Sequence, residues 1–327
     1  MKRVITVLIA IGGAAVFLLS QQSGQQRPLN DLIPAGPLIY IEARDLGVAL
    51  KDWNTSKVKG TWTASDNYKV FSQTRLFMKL DQAQQEYAAA AGLTPDMPFV
   101  EAVAGSNSAL ALYDIGDLAF LYVTRLPQAR AYQTALWQAR AKFQPRRSAG
   151  IDYYIRQQQG RRAAFAVTND LLLIATDEQA LARALALIAG QNAARMREEP
   201  WYQNAVAAQP QAGEFRMVHN FARVVESPYF RSYWVQRNSR DLKQFVSLVS
   251  DMDRSAAEFR ERRILLREEP TADLRPAESA VAELVRLAPA DAGLYRAWAR
   301  PEAEAAVSMI AAKLLGASSG EGGPERR

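Results

Sequence analysis

From Ser108 to Gly190 the chain alternates short apolar runs with turn residues, and this pattern narrows the choice of folds more than any other stretch. Ala109 to Tyr113 and Leu118 to Val123 read as strands joined by Asp114-Ile115-Gly116-Asp117, a hairpin signal. Ile151, Tyr153 and Ile155 alternate with Asp152, Tyr154 and Arg156, so one strand face is buried and the other wet. Gln157 to Gly160 turns the chain into Ala163 to Val167, and Thr168-Asn169-Asp170 turns it into Leu171 to Ala175. A helix is expected after Pro127, with Tyr132, Leu136, Ala139 and Phe143 as its buried stripe. Another is expected over Asp177 to Ala189, with Thr176 and Gln179 as a capping box and Gly190 as its stop. Serial hairpins with helices between them predict an α+β fold: antiparallel sheets with helices on one face.

The flanks extend this reading. Pro37 to Ala43 is strand-like, Asp45 to Trp53 helical, Asn54 to Ser65 a polar loop, and Asn67 to Ala91 and Pro98 to Val103 helical. Beyond Gly213, strands are expected at Glu214 to Val218, Ile264 to Leu266 and Gly293 to Ala299. Helices are expected at Asn220 to Val225, Tyr229 to Asp253, Ala277 to Leu287 and Glu302 to Leu315. This gives a leader over 1–20, a polar linker over 21–31, α+β regions over 32–200 and 201–316, and a disordered Ser/Gly/Glu/Arg tail over 317–327.

The two regions echo each other. Ser65 to Phe71 and Ser227 to Tyr233 both read Ser-x-x-aromatic-basic-x-aromatic, and Leu32-Ile33-Pro34-Ala35 is matched by Leu287-Ala288-Pro289-Ala290. An internal duplication of a strand–helix unit is expected. With Ser227 to Trp234 and Leu118 to Pro127, these motifs resemble a family of bacterial envelope proteins classed as a domain of unknown function. The resemblance spans most of Leu32 to Leu315. It implies an exported protein of this layout, and it brings no activity and no site residues.

Lys2 and Arg3 precede a run of 16 residues, Val4 to Leu19, apolar but for Thr6. At ~1.5 Å per residue it would span about 24 Å, slightly less than a hydrocarbon core. Basic start, apolar core and polar exit are what export machinery reads. An uncleaved anchor in the inner membrane would leave the bulk of the chain facing the periplasm, because basic residues stay inside. A removed signal peptide would leave it periplasmic or secreted. The chain has no cysteine, which excludes disulfides, thiolate nucleophiles and a lipidated cysteine anchor. The net charge of +6 comes from scattered, mostly Arg cations interleaved with acids. That distribution suits an anionic lipid or polymer surface, or plain solvation, better than nucleic acid.

Signals for catalysis are weak. His219 stands alone, with no second histidine to share a metal. Gly316-Ala317-Ser318-Ser319-Gly320 matches a nucleophile-elbow spacing, but no histidine follows it. Ser56-Lys57-Val58-Lys59 and Ser65-Asp66-Asn67 fit penicillin-reactive serine motifs, yet they nearly touch and the first is expected in a loop. No catalytic residue, metal site or cofactor is expected. The remaining lead is aromatic: Trp53, Trp62 and Tyr68 with Lys57 and Lys59 between them, a composition that grips lipid headgroups, polymers or a partner protein. The expected function is therefore non-catalytic, by binding or scaffolding at the membrane. The alternatives are a carrier of an apolar or lipid-like ligand, then an envelope hydrolase. A carrier requires an apolar cavity of roughly 300 Å³ or more.

Overall fold

The structure is a computed structural model that describes residues 26–94, 96–158, 160–228, 243–255, 258–268 and 278–289. The leader, the motif from Tyr229 to Trp234 and the expected elements after residue 290 lie outside them. The chain divides into two units, Met1–Glu268 and Glu269–Arg327. In the second, a helix over Glu278–Arg286 is described, where the sequence places one.

The first unit is built on an antiparallel sheet of ten strands, which establishes the α+β class. The strands are β1 (Ile39–Ala43), β2 (Ser108–Asp114), β3 (Ala119–Arg125), β4 (Gln144–Ser148), β5 (Ile151–Gln158), β6 (Arg161–Thr168), β7 (Leu171–Ala175), β8 (Phe215–Asn220), β9 (Phe245–Arg254) and β10 (Phe259–Arg267). Their order is β10-β9-β8-β1-β2-β3-β7-β6-β5-β4. β1 pairs with β2 on one side and β8 on the other, so the sheet runs through the expected boundary at residue 200 without a break. Both edges carry charge or proline, Pro145, Arg146 and Arg147 on β4 and Arg260 to Arg263 on β10, which discourages pairing with other chains.

The helices are α1 (Leu46–Thr55), α2 (Lys57–Ala64), α3 (Asp66–Ser72), α4 (Arg75–Ala91), α5 (Met97–Val103), α6 (Gln128–Ala131), α7 (Ala135–Gln138), α8 (Glu178–Ile188), α9 (Pro200–Ala208) and α10 (Phe221–Glu226), with α11 being the helix of the second unit. On one sheet face, Leu121, Val123, Leu173, Val218 and Val249 pack with α8 and α9 residues such as Leu181, Leu185, Trp201 and Tyr202. On the other, Phe165, Leu172 and Ile174 pack with Ala90, Val103, Leu126 and Leu136. Period-2 alternation explains both: in β7 the odd residues Leu171, Leu173 and Ala175 face one layer and the even residues Leu172 and Ile174 the other. A second helical layer therefore adds to the one expected.

Several expected elements take a different form. Asn54 to Ser65 is helical rather than a loop, because Ser56 and Ser65 cap helices instead of interrupting them. The helix expected over Asn67 to Ala91 breaks at Gln73 and Thr74, where Thr74 caps α4. The helix expected after Pro127 is two single turns and a 3₁₀ turn, because Thr134 caps a fresh start; Leu136 and Phe143 are buried but Tyr132 is exposed. Asp177, not Thr176, caps α8, while the Thr176 hydroxyl accepts from the Phe120 N–H and donates to the Leu118 carbonyl. The C-terminal part of the long helix expected over Tyr229 to Asp253 is strand β9, which pairs with β8 and β10 and is buried on both faces from Ser247 to Asp251.

Candidate functional site

The expected aromatic cluster forms in part. Trp62 meets Tyr68 edge-on at 6.0 Å, and Phe71 and Phe77 close a four-ring cluster with them. Trp53 stays apart and lines a separate hollow of about 770 Å³ with Val58 and Phe259. The Lys59 ammonium donates to the Asn54 amide oxygen at 2.6 Å, and Lys57 is exposed. Ser56 does open a helix, against expectation, but its hydroxyl is occupied: it donates to the Trp53 carbonyl and accepts from the Lys59 N–H. It is a cap rather than a nucleophile.

A feature the sequence did not point to lies between β2–β3 and the α4–α5 layer. Two hollows, of about 630 and 240 Å³, share Tyr87, Leu110 and Phe120 as walls. The smaller is apolar throughout, with Phe99, Val103 and Ile174 among its walls. The larger opens toward Arg161 and Arg162, with Leu112 and Leu118 along it. Ile41 pairs with Leu110 and Ile39 with Leu112, so these leucines point away from the Tyr40 face of the sheet.

Three details set this space apart from ordinary packing. The Tyr87 hydroxyl is buried without a hydrogen-bond partner, and burial alone pushes its pKa well up. Leu118 holds φ at +51°, an uncommon conformation for a bulky residue, and its carbonyl is held there by Thr176. At the wide end Arg161 pairs with Glu86 at 3.1 Å, while Arg162 is exposed and has no ion-pair partner among the described residues. Apolar walls, with Arg161 and Arg162 set among Glu86, Asp117 and Asp177 around the larger hollow, suit an apolar molecule with a polar end.

The ionisable groups elsewhere are tied to structure. On the opposite sheet face the Tyr40 hydroxyl donates to Glu42 at 2.8 Å, and burial raises the pKa of both groups. Arg216 forks onto Asp251 with two bonds of 2.8 Å. His219 stacks on Phe221 at 5.8 Å, and burial, with Arg263 adding, lowers its pKa to about 4. No group of three or more metal-ligating side chains occurs among the described residues, and no described helix is long and apolar enough to cross a membrane.

No family model matches the chain, and no curated protein does. Among solved structures it is similar to crystal forms III, I and IV of TP0453, at 8, 9 and 10% identity and TM-scores of 0.39, 0.40 and 0.39. The matches cover 77, 76 and 86% of this chain and 84, 82 and 96% of those chains.

Proposed function

We propose that this is a non-catalytic envelope protein, of the kind the resemblance implies, held at the membrane by its apolar N-terminal segment. It binds an apolar or lipid-like ligand between the sheet and the α4–α5 layer. The observation that carries this reading is the slot itself, whose larger hollow, about 630 Å³, falls within the roughly 300–1,000 Å³ of small-molecule sites. A pure scaffold would have a filled core there, so the ligand-binding reading is favoured over scaffolding.

The test compares organic extracts of the full chain purified from membranes with those of Phe120→Trp, which fills the shared wall. Lipid surrounding the N-terminal segment contributes equally to both. A species present near stoichiometry in the native extract and depleted in the variant is the expected result; identical extracts would remove the proposal.

A further inference from the structure

Trp53, Trp62 and Phe71 recur every nine residues, and each is followed three places on by a hydroxyl residue: Ser56, Ser65 and Thr74. The three hydroxyls do the same work. Each donates to the carbonyl of its preceding aromatic residue, at 2.8, 2.7 and 2.7 Å. Each accepts from the N–H three residues ahead, at Lys59, Tyr68 and Phe77, at 3.1, 3.1 and 3.3 Å. Ser56 and Ser65 each end one helix and start the next, and Thr74 starts α4 one residue after Gln73 ends α3, with φ/ψ of −75/143°, −77/155° and −75/154°. The outcome is a stair of helices, α1 to α4, with a regular step.

The stair holds itself together and leaves apolar surface outside. The rings at equivalent places in its last two steps, Trp62 with Phe71 and Tyr68 with Phe77, form the four-ring cluster. Neither α2 nor α3 buries a residue. Val48, Val58, Trp62, Val70 and Met78 are each between 38 and 67% exposed, and Val58 and Trp62 share a face of α2 as an i, i+4 pair. Along α1–α4 the sequence carries five lysines, at 51, 57, 59, 69 and 79, and Arg75, against four carboxylates, Asp52, Asp66, Asp81 and Glu86. That net +2 draws on five of the chain's nine lysines. Lys51 and Lys57 are exposed and have no side-chain partner among the described residues.

We propose that the stair docks on an anionic bilayer surface, its valines, Trp62 and Met78 entering the acyl boundary and its lysines meeting lipid phosphates. Exposed apolar side chains interleaved with lysine on short helices are what interfacial binding requires. An acidic protein surface would match the charge but would not need apolar side chains spread over four successive helices. Although α1 and α4 lend Leu46, Glu86 and Tyr87 to the slot's hollows, none of Val48, Val58, Trp62, Val70 and Met78 lines them, so the docking stands even if the slot holds nothing.

Because the chain lacks cysteine, Val70→Cys and Met78→Cys can each carry one environment-sensitive fluorophore. The labelled full chain is placed in vesicles of phosphatidylcholine, with or without phosphatidylglycerol. A blue shift at both positions in the phosphatidylglycerol vesicles, absent for a label at Gln133→Cys, is expected. Lys51→Gln with Lys57→Gln should lower the docked-to-undocked ratio about 25-fold, about fivefold per lysine, and leave the extracted ligand unchanged. An equal shift in neutral vesicles, a shift before lipid is added, or no shift at either position would overturn the proposal.

Discussion

At the scale of single residues, the buried ion pair between β8 and β9 shows how burial and pairing are inseparable. Arg216 and Asp251 face each other in register, Asp251 also accepts from the Gly213 N–H at 3.0 Å, and Arg216 donates to the Gln209 carbonyl at 2.6 Å. Removing one partner leaves the other charged and dry. Arg216→Met should therefore cost about 3–5 kcal/mol in denaturant unfolding, and adding Asp251→Leu should recover most of it. His219 gives a prediction in pH. The unfolded imidazole takes a proton near 6.5, the native one only near 4. As pH falls between those values the unfolded state binds a proton the native state refuses, so stability drops through that window and levels off below it. His219→Asn should flatten the fall between pH 6.5 and 4 in unfolding midpoints relative to the native chain; parallel curves would contradict this.

At the scale of elements, the strands with strict alternation or continuous apolar character are legible from sequence. β5 reads from Ile151, Tyr153 and Ile155, and β7 from its unbroken apolar run, because burial on one or both faces leaves a period that composition cannot hide. β4 is invisible for the opposite reason: Gln-Pro-Arg-Arg-Ser is an edge whose side chains stay in water, so nothing apolar marks it. The stair fails differently. Ser56, Ser65 and Thr74 look like loop residues, yet the same hydroxyls that favour loops are the best helix caps. Ser65→Ala should cost about 1 kcal/mol and fray α3 first, read as faster amide exchange at Tyr68 than at α8. Equal exchange would show that the cap does not hold the step. Of the candidate residues, Trp62 and Tyr68 were legible as a pair, whereas the slot was not. Its walls come from separate stretches around Leu46, Tyr87, Phe99, Leu110, Phe120, Arg161 and Ile174, whose convergence only the fold creates.

For the whole molecule, the sheet's two faces divide the labour. The Tyr40 face is closed by α8 and α9 over a tightly packed core and a satisfied ion pair, and it supplies stability. The other face is closed more loosely by α4 and α5, and there the slot opens beside Tyr87. A photoreactive phenylalanine analogue replacing Tyr87 in the full chain, activated in intact cells, should acquire a small-molecule adduct. The same analogue at Gln133 will not. A discrete apolar mass attached only at position 87 is the predicted result; no adduct, or the same adduct at both positions, would mean that the slot does not hold a ligand.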